Sequence, residues 1–329
     1  MMKSTLQFGL VSASLCIAFA LCAFAPGVAA QPNDKVEMRP VDIWSDGTRL
    51  SGNLWYPKER ADGETFPAIV LCHGWGGVKS HLNSTYAPKF AAGGFVVLAF
   101  DYRGWGESDS RLVIQGDAPK PDENGMATVK VQMIRELVDP IDQLEDIRHA
   151  IDFVEGEAMV DASRIAIWGT SFGGGLVVQT GVNDPRVKCI VSQVGGMDTK
   201  SLVGTFFPDM GAAGVRDLEI KRVRGDAAPV PQGENVVPGL RGTPHVVRFA
   251  RYSPVEEAHK LRVPILIIDA ENEELFDIRE HGGKVYSEVK DNVEAVYHIE
   301  PGIQHYGIYQ ARYVQGSDMA LTWFQKHLQ

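Results

Sequence analysis

The chain has 329 residues, of which 44% are hydrophobic, and its formal net charge at pH 7 is −10. A chain of this length buries a large core, which excludes the class of small domains that need disulfides or a metal for stability. The acidic balance argues against nucleic acid or an anionic membrane surface as a partner.

Residues 1–30 have the pattern of a secretory signal peptide. Lys3 precedes an apolar run over residues 8–24, and the small residues Val28 and Ala30 follow. This order of a positive charge, a short apolar segment and small residues predicts cleavage after Ala30. We therefore expect a secreted or periplasmic protein.

Two other interpretations of this leader are disfavoured. A membrane anchor is disfavoured because the apolar run is short for a bilayer span, so no stable membrane anchor is expected. A lipoprotein is disfavoured because Leu15 and Leu21 precede the two cysteines of the leader, where a small residue is needed. Cleavage leaves residues 31–329 as one mature domain with a net charge of about −11.

The mature sequence opens with two alternating runs around residues 45–47, which predict a hairpin. Apolar strand-like runs then alternate with helical patterns. Strands are predicted at residues 66–72, 95–101, 164–169, 187–194, 263–270 and 293–300, helices at 84–94, 141–156, 172–182, 278–290 and about 311–327, and a polar loop from Glu107 to about Val131. This alternation predicts an α/β fold with a mostly parallel central sheet, helices on both faces and the antiparallel hairpin at one edge.

Residues 198–255 interrupt the alternation. The segment is rich in glycine, proline and charge, and it is too long for a simple connection. We interpret it as a cap or lid inserted over the functional site, with a disordered insert as the alternative.

The mature chain keeps two cysteines, Cys72 and Cys189, both in apolar runs. This placement is typical of buried thiols, although a disulfide stays open in an exported protein. No cofactor or metal is expected, because the nine histidines are scattered and the sequence has no C-x-x-C or H-E-x-x-H spacing.

Four loops at predicted strand ends carry polar residues that could act together. Glycines in the loop at residues 73–77 allow amide N–H groups to face a cleft, as a developing oxyanion requires. Ser171 lies in a G-T-S-F-G turn between a strand and a helix, which places the Phe172 N–H at the helix start. Carboxylates at residues 269–277 and then His305 follow, and this order of serine, acid and histidine is that of α/β-hydrolases.

The chain is similar to the α/β-hydrolases of the dienelactone-hydrolase-like and Xaa-Pro dipeptidyl-peptidase-like (S15) group of serine hydrolases. The matching elements are "HGWGG", "DYRGWGES", "GTSFGG", "VPILIIDAENEELFD" and "PGIQHYG", in the family's order between residues 67 and 307. The resemblance implies that Ser171 is the elbow nucleophile and His305 the general base. It also implies that the backbone N–H groups of Trp75 and Phe172 form the oxyanion hole.

The acid of the triad departs from the family's pattern. The family usually has H-G-x-x-D after this strand, whereas this chain has Asp269-Ala270-Glu271-Asn272-Glu273. Counting along the run places Glu273 where the family has its acid, and Asp269 where it has histidine. Asp269 and Asp277 stay as alternative acids, because a triad is defined by geometry and not by spacing.

Other polar residues in these motifs are expected to be structural. His73 is expected to support the oxyanion loop, and Asp101 and Arg103 of the "DYRGWGES" motif to tie loops together. Ser171 could instead be an ordinary turn serine and His305 a surface histidine. Both alternatives are disfavoured, because serine, acid and histidine follow one another along the chain in the order that a triad needs.

The sequence thus predicts a serine hydrolase that cleaves a small-molecule carboxylic ester or lactone. An S15-like peptidase acting on amides is the first alternative, and a hydrolase of thioesters or C–C bonds in acyl or polyketide processing is the second. A non-catalytic binding protein on the same fold is a third. The sequence indicates no particular oligomeric state.

Overall fold

The computed structural model describes residues 34–233 and 239–329. The predicted signal peptide lies outside these residues, and the predicted cap is described except for residues 234–238. Within the described ranges, no helix is both long enough and apolar enough to cross a membrane.

Strands and helices alternate along the described chain. The strands are β1 (Val36–Ser45), β2 (Thr48–Pro57), β3 (Phe66–Cys72), β4 (Val96–Phe100), β5 (Leu112–Gln115), β6 (Lys130–Met133), β7 (Leu137–Val138), β8 (Val160–Thr170), β9 (Val187–Gln193), β10 (Thr243–Pro244), β11 (Ile265–Ala270) and β12 (Ala295–Glu300). The α-helices are α1 (Lys79–Asn83), α2 (Tyr86–Ala92), α3 (Pro140–Glu155), α4 (Phe172–Asn183), α5 (Thr199–Phe206), α6 (Gly211–Arg224), α7 (Val246–Phe249), α8 (Pro254–Glu257), α9 (Gly282–Val289) and α10 (Tyr313–Leu328), and Ala258–Lys260 and His305–Tyr309 form 3-10 turns.

Eight strands form one sheet in the order β1-β2-β4-β3-β8-β9-β11-β12. The β1–β2 hairpin and its pairing with β4 are antiparallel, and the remaining neighbours are parallel. The predicted α/β-hydrolase fold, with a mostly parallel sheet and the opening hairpin at one edge, is confirmed. Because the parallel strands share a direction, the loops after β3, β8, β11 and β12 meet at one edge of the sheet.

The sheet carries a hydrophobic cluster on each face. Along β3, Val70 and Cys72 contribute to one cluster, while Ile69 and Leu71 contribute to the other. The first cluster includes residues of α3 and α4, and the second includes residues of α2 and α10. Successive side chains of a strand point to opposite faces, so a strand covered on both sides is apolar throughout. Each fully buried aliphatic side chain of this kind stabilises the fold by about 1.5–3 kcal/mol.

The two mature cysteines are free and buried. Cys72 belongs to the cluster on one face of the sheet and Cys189 to the cluster on the other. The sheet therefore separates the two thiols, and the buried-thiol interpretation of the sequence is confirmed.

The polar loop predicted from Glu107 to about Val131 is partly wrong. β5 and β6 pair antiparallel there, with Leu112 opposite Met133 and Ile114 opposite Val131. These four apolar side chains share one exposed face, and each strand is only four residues long, so the segment carries too short a pattern to predict a strand.

Residues 198–255, predicted as a cap or lid, contain α5, α6 and the short helix α7, and α8 begins at Pro254. α6 has no buried residue, so it shows no apolar stripe that sequence periodicity could detect. Near the end of the segment, β10 pairs with β7 in a separate two-stranded sheet, and Phe249 of α7 packs against Phe172. Whether the segment acts as a cap stays a prediction.

Candidate active site

Ser171 occupies a strained turn between β8 and α4. Its backbone has φ +54° and ψ −126°, a conformation that costs a non-glycine residue about 1–3 kcal/mol. The turn closes tightly, because a Cβ on Gly169 would lie 2.2 Å from the Gly173 carbonyl oxygen, and one on Gly173 would lie 2.3 Å from that of Cys72. The two glycines therefore permit the bend that lifts the Ser171 side chain out of the strand.

His305 follows β12 and begins the 3-10 turn His305–Tyr309. Its Nε2 lies 3.0 Å from Ser171 Oγ, and its Nδ1 lies 2.8 Å from Glu273 Oε2. The His305 and Glu273 side chains are only 1% and 2% exposed. The three residues come from loops after β8, β11 and β12, and the sheet order β8-β9-β11-β12 places these loops near one another.

The hydrogen bonds of this group define a direction for proton transfer. Because a carboxylate can only accept, the imidazole Nδ1–H donates to Glu273, and Nε2 is left to accept from the Ser171 hydroxyl. Glu273 is itself oriented, since its Oε1 accepts the Leu275 N–H at 3.0 Å. A serine activated in this way is suited to nucleophilic attack.

The two alternative acids lie elsewhere. Asp269 is fully buried at the end of β11, near Tyr297 and Gly195, and burial raises the pKa of its carboxyl group to about 7. Asp277 is exposed and pairs with Arg279 at 2.5 Å, and this contact lowers the pKa of Asp277 to about 2. Of the three carboxylates, Glu273 is the one that the structure brings to His305.

The two predicted oxyanion donors flank Ser171. Phe172 is the first residue of α4, where the helix offers no partner for its N–H. A Cβ on Gly74 would lie 2.7 Å from Ser171 Cβ, so the glycine lets the loop that carries Trp75 approach the serine. The Trp75 and Phe172 rings also contact each other, with centroids 6.2 Å apart.

The Trp75 side chain connects this loop to the predicted cap. Its Nε1–H donates to the Arg241 carbonyl oxygen at 3.0 Å, and its ring meets Phe249 edge-on at 5.4 Å. Arg241 in turn forms an ion pair with Glu136. The loop of the predicted oxyanion site is therefore fixed partly by contacts with Arg241 and Phe249.

The remaining motif residues make contacts that join neighbouring loops and elements, and their structural role stays a prediction. His73 is buried, its Nδ1–H donates to the Gly74 carbonyl at 3.0 Å, and burial lowers the pKa of the imidazole to about 4. Asp101 accepts the backbone N–H of Lys79 at 2.7 Å, which ties β4 to α1. Arg103 donates to both Ser45 and Asp146, which ties the β1–β2 turn to α3.

The sequence did not point to several residues that lie around Ser171, Glu273 and His305. Glu274 accepts the His305 backbone N–H at 2.8 Å, and the Phe276 ring lies edge-on to His305 at 5.9 Å. Beneath the serine, the Thr170 and Tyr309 hydroxyls are 2.6 Å apart. The only sequence signal for Glu274 was its membership of a run of carboxylates, which does not indicate the partner of each one.

Across residues 34–233 and 239–329, no group of three or more His, Cys, Asp or Glu side chains is arranged to hold a metal ion.

Comparisons with known proteins identify what this chain is similar to. Residues 46–206 match the family model of the X-Pro dipeptidyl-peptidases (S15 family). The chain is 30% identical over 290 residues to the uncharacterized 31.7 kDa protein in the traX-finO intergenic region of Escherichia coli, covering 80% of this chain and 91% of the relative. It is 26% identical over 262 residues to the quorum-quenching protein AidA of Acinetobacter baumannii (strain MDR-ZJ06), covering 71% and 78%.

A solved structure matches the fold over nearly the whole chain. The α/β hydrolase GrgF from Penicillium sp. sh18 has a TM-score of 0.63 at 17% identity, covering 89% of this chain and 99% of that one. The chain belongs to the α/β-hydrolase superfamily. Within it, the protein is an S15-like hydrolase. The match to the S15 family model includes Ser171 but ends before Glu273 and His305.

Proposed function

We propose that this hydrolase cleaves a carboxylic ester or lactone through an acyl-enzyme on Ser171. The observation that carries the proposal is the hydrogen-bonded series Ser171–His305–Glu273. The strained Ser171 backbone supports it, because a non-glycine residue keeps such a conformation only where the surrounding structure holds it in place.

In the acylation step, Ser171 Oγ attacks the carbonyl carbon while His305 Nε2 accepts the hydroxyl proton. Glu273 stabilises the imidazolium that forms. The carbonyl oxygen becomes an oxyanion and accepts hydrogen bonds from the Trp75 and Phe172 backbone N–H groups. When the intermediate collapses, the C–O bond to the alcohol breaks, and His305 donates its proton to the leaving oxygen.

In the deacylation step, water takes the place of the alcohol. His305 Nε2 accepts a proton from water, whose oxygen attacks the acyl carbon through a second oxyanion held by the same two amides. The bond from Ser171 Oγ to the acyl carbon then breaks, and the proton returns from His305 to the serine. The products are a carboxylic acid and the regenerated enzyme, with no co-reactant other than water.

The surroundings of the triad favour a substrate with an apolar part. Trp75, Phe276 and Tyr306 are half-buried aromatic residues near Ser171 and His305. Aromatic side chains of this kind bind acyl or aryl groups through contact area, while the polar triad acts on the carbonyl.

The test is the Ser171→Ala variant, assayed with p-nitrophenyl acetate and a fluorophosphonate probe. We expect kcat to fall by at least about 10⁴-fold and labelling to disappear, because the nucleophile is lost. Ser84→Ala, which changes an exposed serine outside the site, is the control and should match the wild-type protein. Turnover or labelling that persists in Ser171→Ala would overturn the proposal.

A peptidase is the second candidate, because the family match is to X-Pro dipeptidyl-peptidases. The same triad can act on an amide, so the choice lies in the relative rates. A panel of esters, lactones, thioesters and aminoacyl-proline amides, graded by acyl size, distinguishes the candidates. We expect the highest kcat/KM for an ester or lactone; a higher value for the proline amides would favour the peptidase.

A further inference from the structure

The backbone of His305 has a partner of its own in the acid loop. Its N–H donates to Glu274 Oε2 at 2.8 Å, while its imidazole Nδ1 contacts the neighbouring Glu273. Two consecutive glutamates therefore hold one histidine, one through the ring and one through the main chain. We propose that Glu274 is a positioning residue that fixes His305 for proton transfer, an inference that rests on the proposed function.

The start of the turn that carries His305 explains why this contact is needed. His305 is the first residue of the 3-10 turn His305–Tyr309, and the first N–H groups of a helical turn have no partner within it. The preceding residue, Gln304, forms no side-chain capping hydrogen bond. Glu274 supplies the acceptor from another loop, and its negative charge suits the positive end of the turn.

The contact with Glu274 fixes the His305 backbone, where a small displacement would move the imidazole away from Ser171. His305 Nε2 must stay near the 3.0 Å distance from Ser171 Oγ in order to accept its proton. The ring is held at its sides by Phe276 and Tyr306, with centroids 5.9 Å and 5.1 Å away. These contacts act on the ring, whereas Glu274 anchors the backbone that carries it.

A neighbouring glutamate provides a matched control. Glu271 lies in the same loop, is exposed like Glu274, and accepts the Gly302 N–H at 2.7 Å. Both carboxylates thus join the loop after β11 to the loop after β12 through one main-chain hydrogen bond. They differ in their partners, because Glu274 binds the N–H of His305, the proposed base, whereas Glu271 binds that of Gly302.

The experiment compares Glu274→Ala, Glu274→Gln and Glu271→Ala by kcat, KM, the rate of fluorophosphonate labelling and the thermal midpoint. For Glu274→Ala we expect kcat and the labelling rate to fall about tenfold, with KM within about twofold, because binding is unchanged while the base is displaced. Glu274→Gln should recover kcat to within about threefold, since an amide oxygen accepts the same N–H. Glu271→Ala should keep kcat and show the same thermal midpoint as Glu274→Ala.

Equal kcat losses in Glu274→Ala and Glu271→Ala would overturn the inference in favour of a general role in loop stability. Failure of Glu274→Gln to recover activity would also overturn it, because the hydrogen bond would not be the cause. If the wild-type protein hydrolyses the ester and reacts with the probe, and Glu274→Ala is equally active, this inference alone is overturned. A wild-type protein that does neither would overturn the proposed function and this role together.

Discussion

The conformation of Ser171 is held by hydrogen bonds from its neighbours. Its positive φ angle is held by backbone contacts, because its N–H donates to the Gln193 carbonyl at 2.9 Å and its carbonyl accepts from Gly174 and Gly196. Strained conformations persist where the surrounding structure over-determines them, and they are concentrated at functional sites. The turn thus links the packing of β8 against β9 to the position of the hydroxyl.

At the residue scale, the identity of the acid can be tested directly. We expect Glu273→Gln to lower kcat by about 10²–10⁴-fold, because the amide neither fixes the imidazole tautomer nor stabilises its cation. Asp269→Asn and Asp277→Asn, which alter the alternative acids, should each lower kcat by less than about threefold.

The measurement is steady-state hydrolysis of p-nitrophenyl acetate by all three variants under one condition. A larger loss of kcat in Asp269→Asn than in Glu273→Gln would move the role of the acid to Asp269. Such a result would mean that the contact between Glu273 and His305 at 2.8 Å does not serve catalysis.

At the scale of elements, the oxyanion loop depends on a segment far away in sequence. The indole of Trp75 is bonded to Arg241, and the Thr243 N–H donates to the Glu136 carbonyl at 2.9 Å. β10 then pairs with β7 beside this contact. The segment after α6 therefore supports the loop whose backbone is proposed to hold the oxyanion.

Trp75→Phe tests this support, because it keeps an aromatic ring and removes the Nε1–H donor. We expect a loss of about 1 kcal/mol in the free energy of unfolding, typical of one hydrogen bond. We also expect kcat to fall about three- to tenfold with little change in KM, because the oxyanion donor is less well fixed.

Trp55→Phe is the matched control, since the Trp55 Nε1–H donates to Asn83 Oδ1 at 2.9 Å, away from the triad. It should cost a similar free energy of unfolding and leave kcat unchanged. Equal kcat values for the two variants would show that the bond between Trp75 and Arg241 supports stability alone. Denaturant unfolding and ester hydrolysis, measured on both proteins, decide between these results.

The elements missed from sequence share one physical property. β5, β6 and α6 have no buried side chain, so burial imposes no periodic pattern on their sequences. The elements that were predicted well are buried, as in β4, where every residue is buried. The structure adds a cap to α3 that was not predicted from the sequence, because the Asp139 side chain accepts from the Ile141 and Asp142 N–H groups.

At the scale of the whole molecule, the buried carboxyl of Asp269 makes the stability of the fold depend on pH. Its pKa, raised by burial to about 7 from an ordinary value of 3.8, lies above the value in the unfolded chain. The folded protein therefore holds this proton between about pH 4 and pH 7, where the unfolded chain releases it. The stability associated with the group is complete below about pH 4 and is lost as the pH rises towards 7.

We expect Asp269→Asn to abolish this dependence, because the asparagine side chain does not titrate. Relative to wild type, the free energy of unfolding of the variant should rise by up to about 4 kcal/mol as the pH goes from 4 to 7. Above pH 7 the difference should stay level. Denaturant unfolding of both proteins at pH 4, 5, 6, 7 and 8 measures the difference. A difference that does not change with pH would contradict the elevated pKa.

The sequence by itself determined the alternation of strands and helices, the hairpin at the edge of the sheet, and the order of serine, acid and histidine. These features are local, because burial imposes a period of two on strands and 3.6 on helices, and glycine marks sharp turns. Tertiary structure decided which of the carboxylates near β11 contacts His305, that Glu274 holds its backbone, and that residues near Arg241 support the oxyanion loop. Such contacts join loops from different strands, so they depend on strand order and loop conformation, which no local pattern encodes.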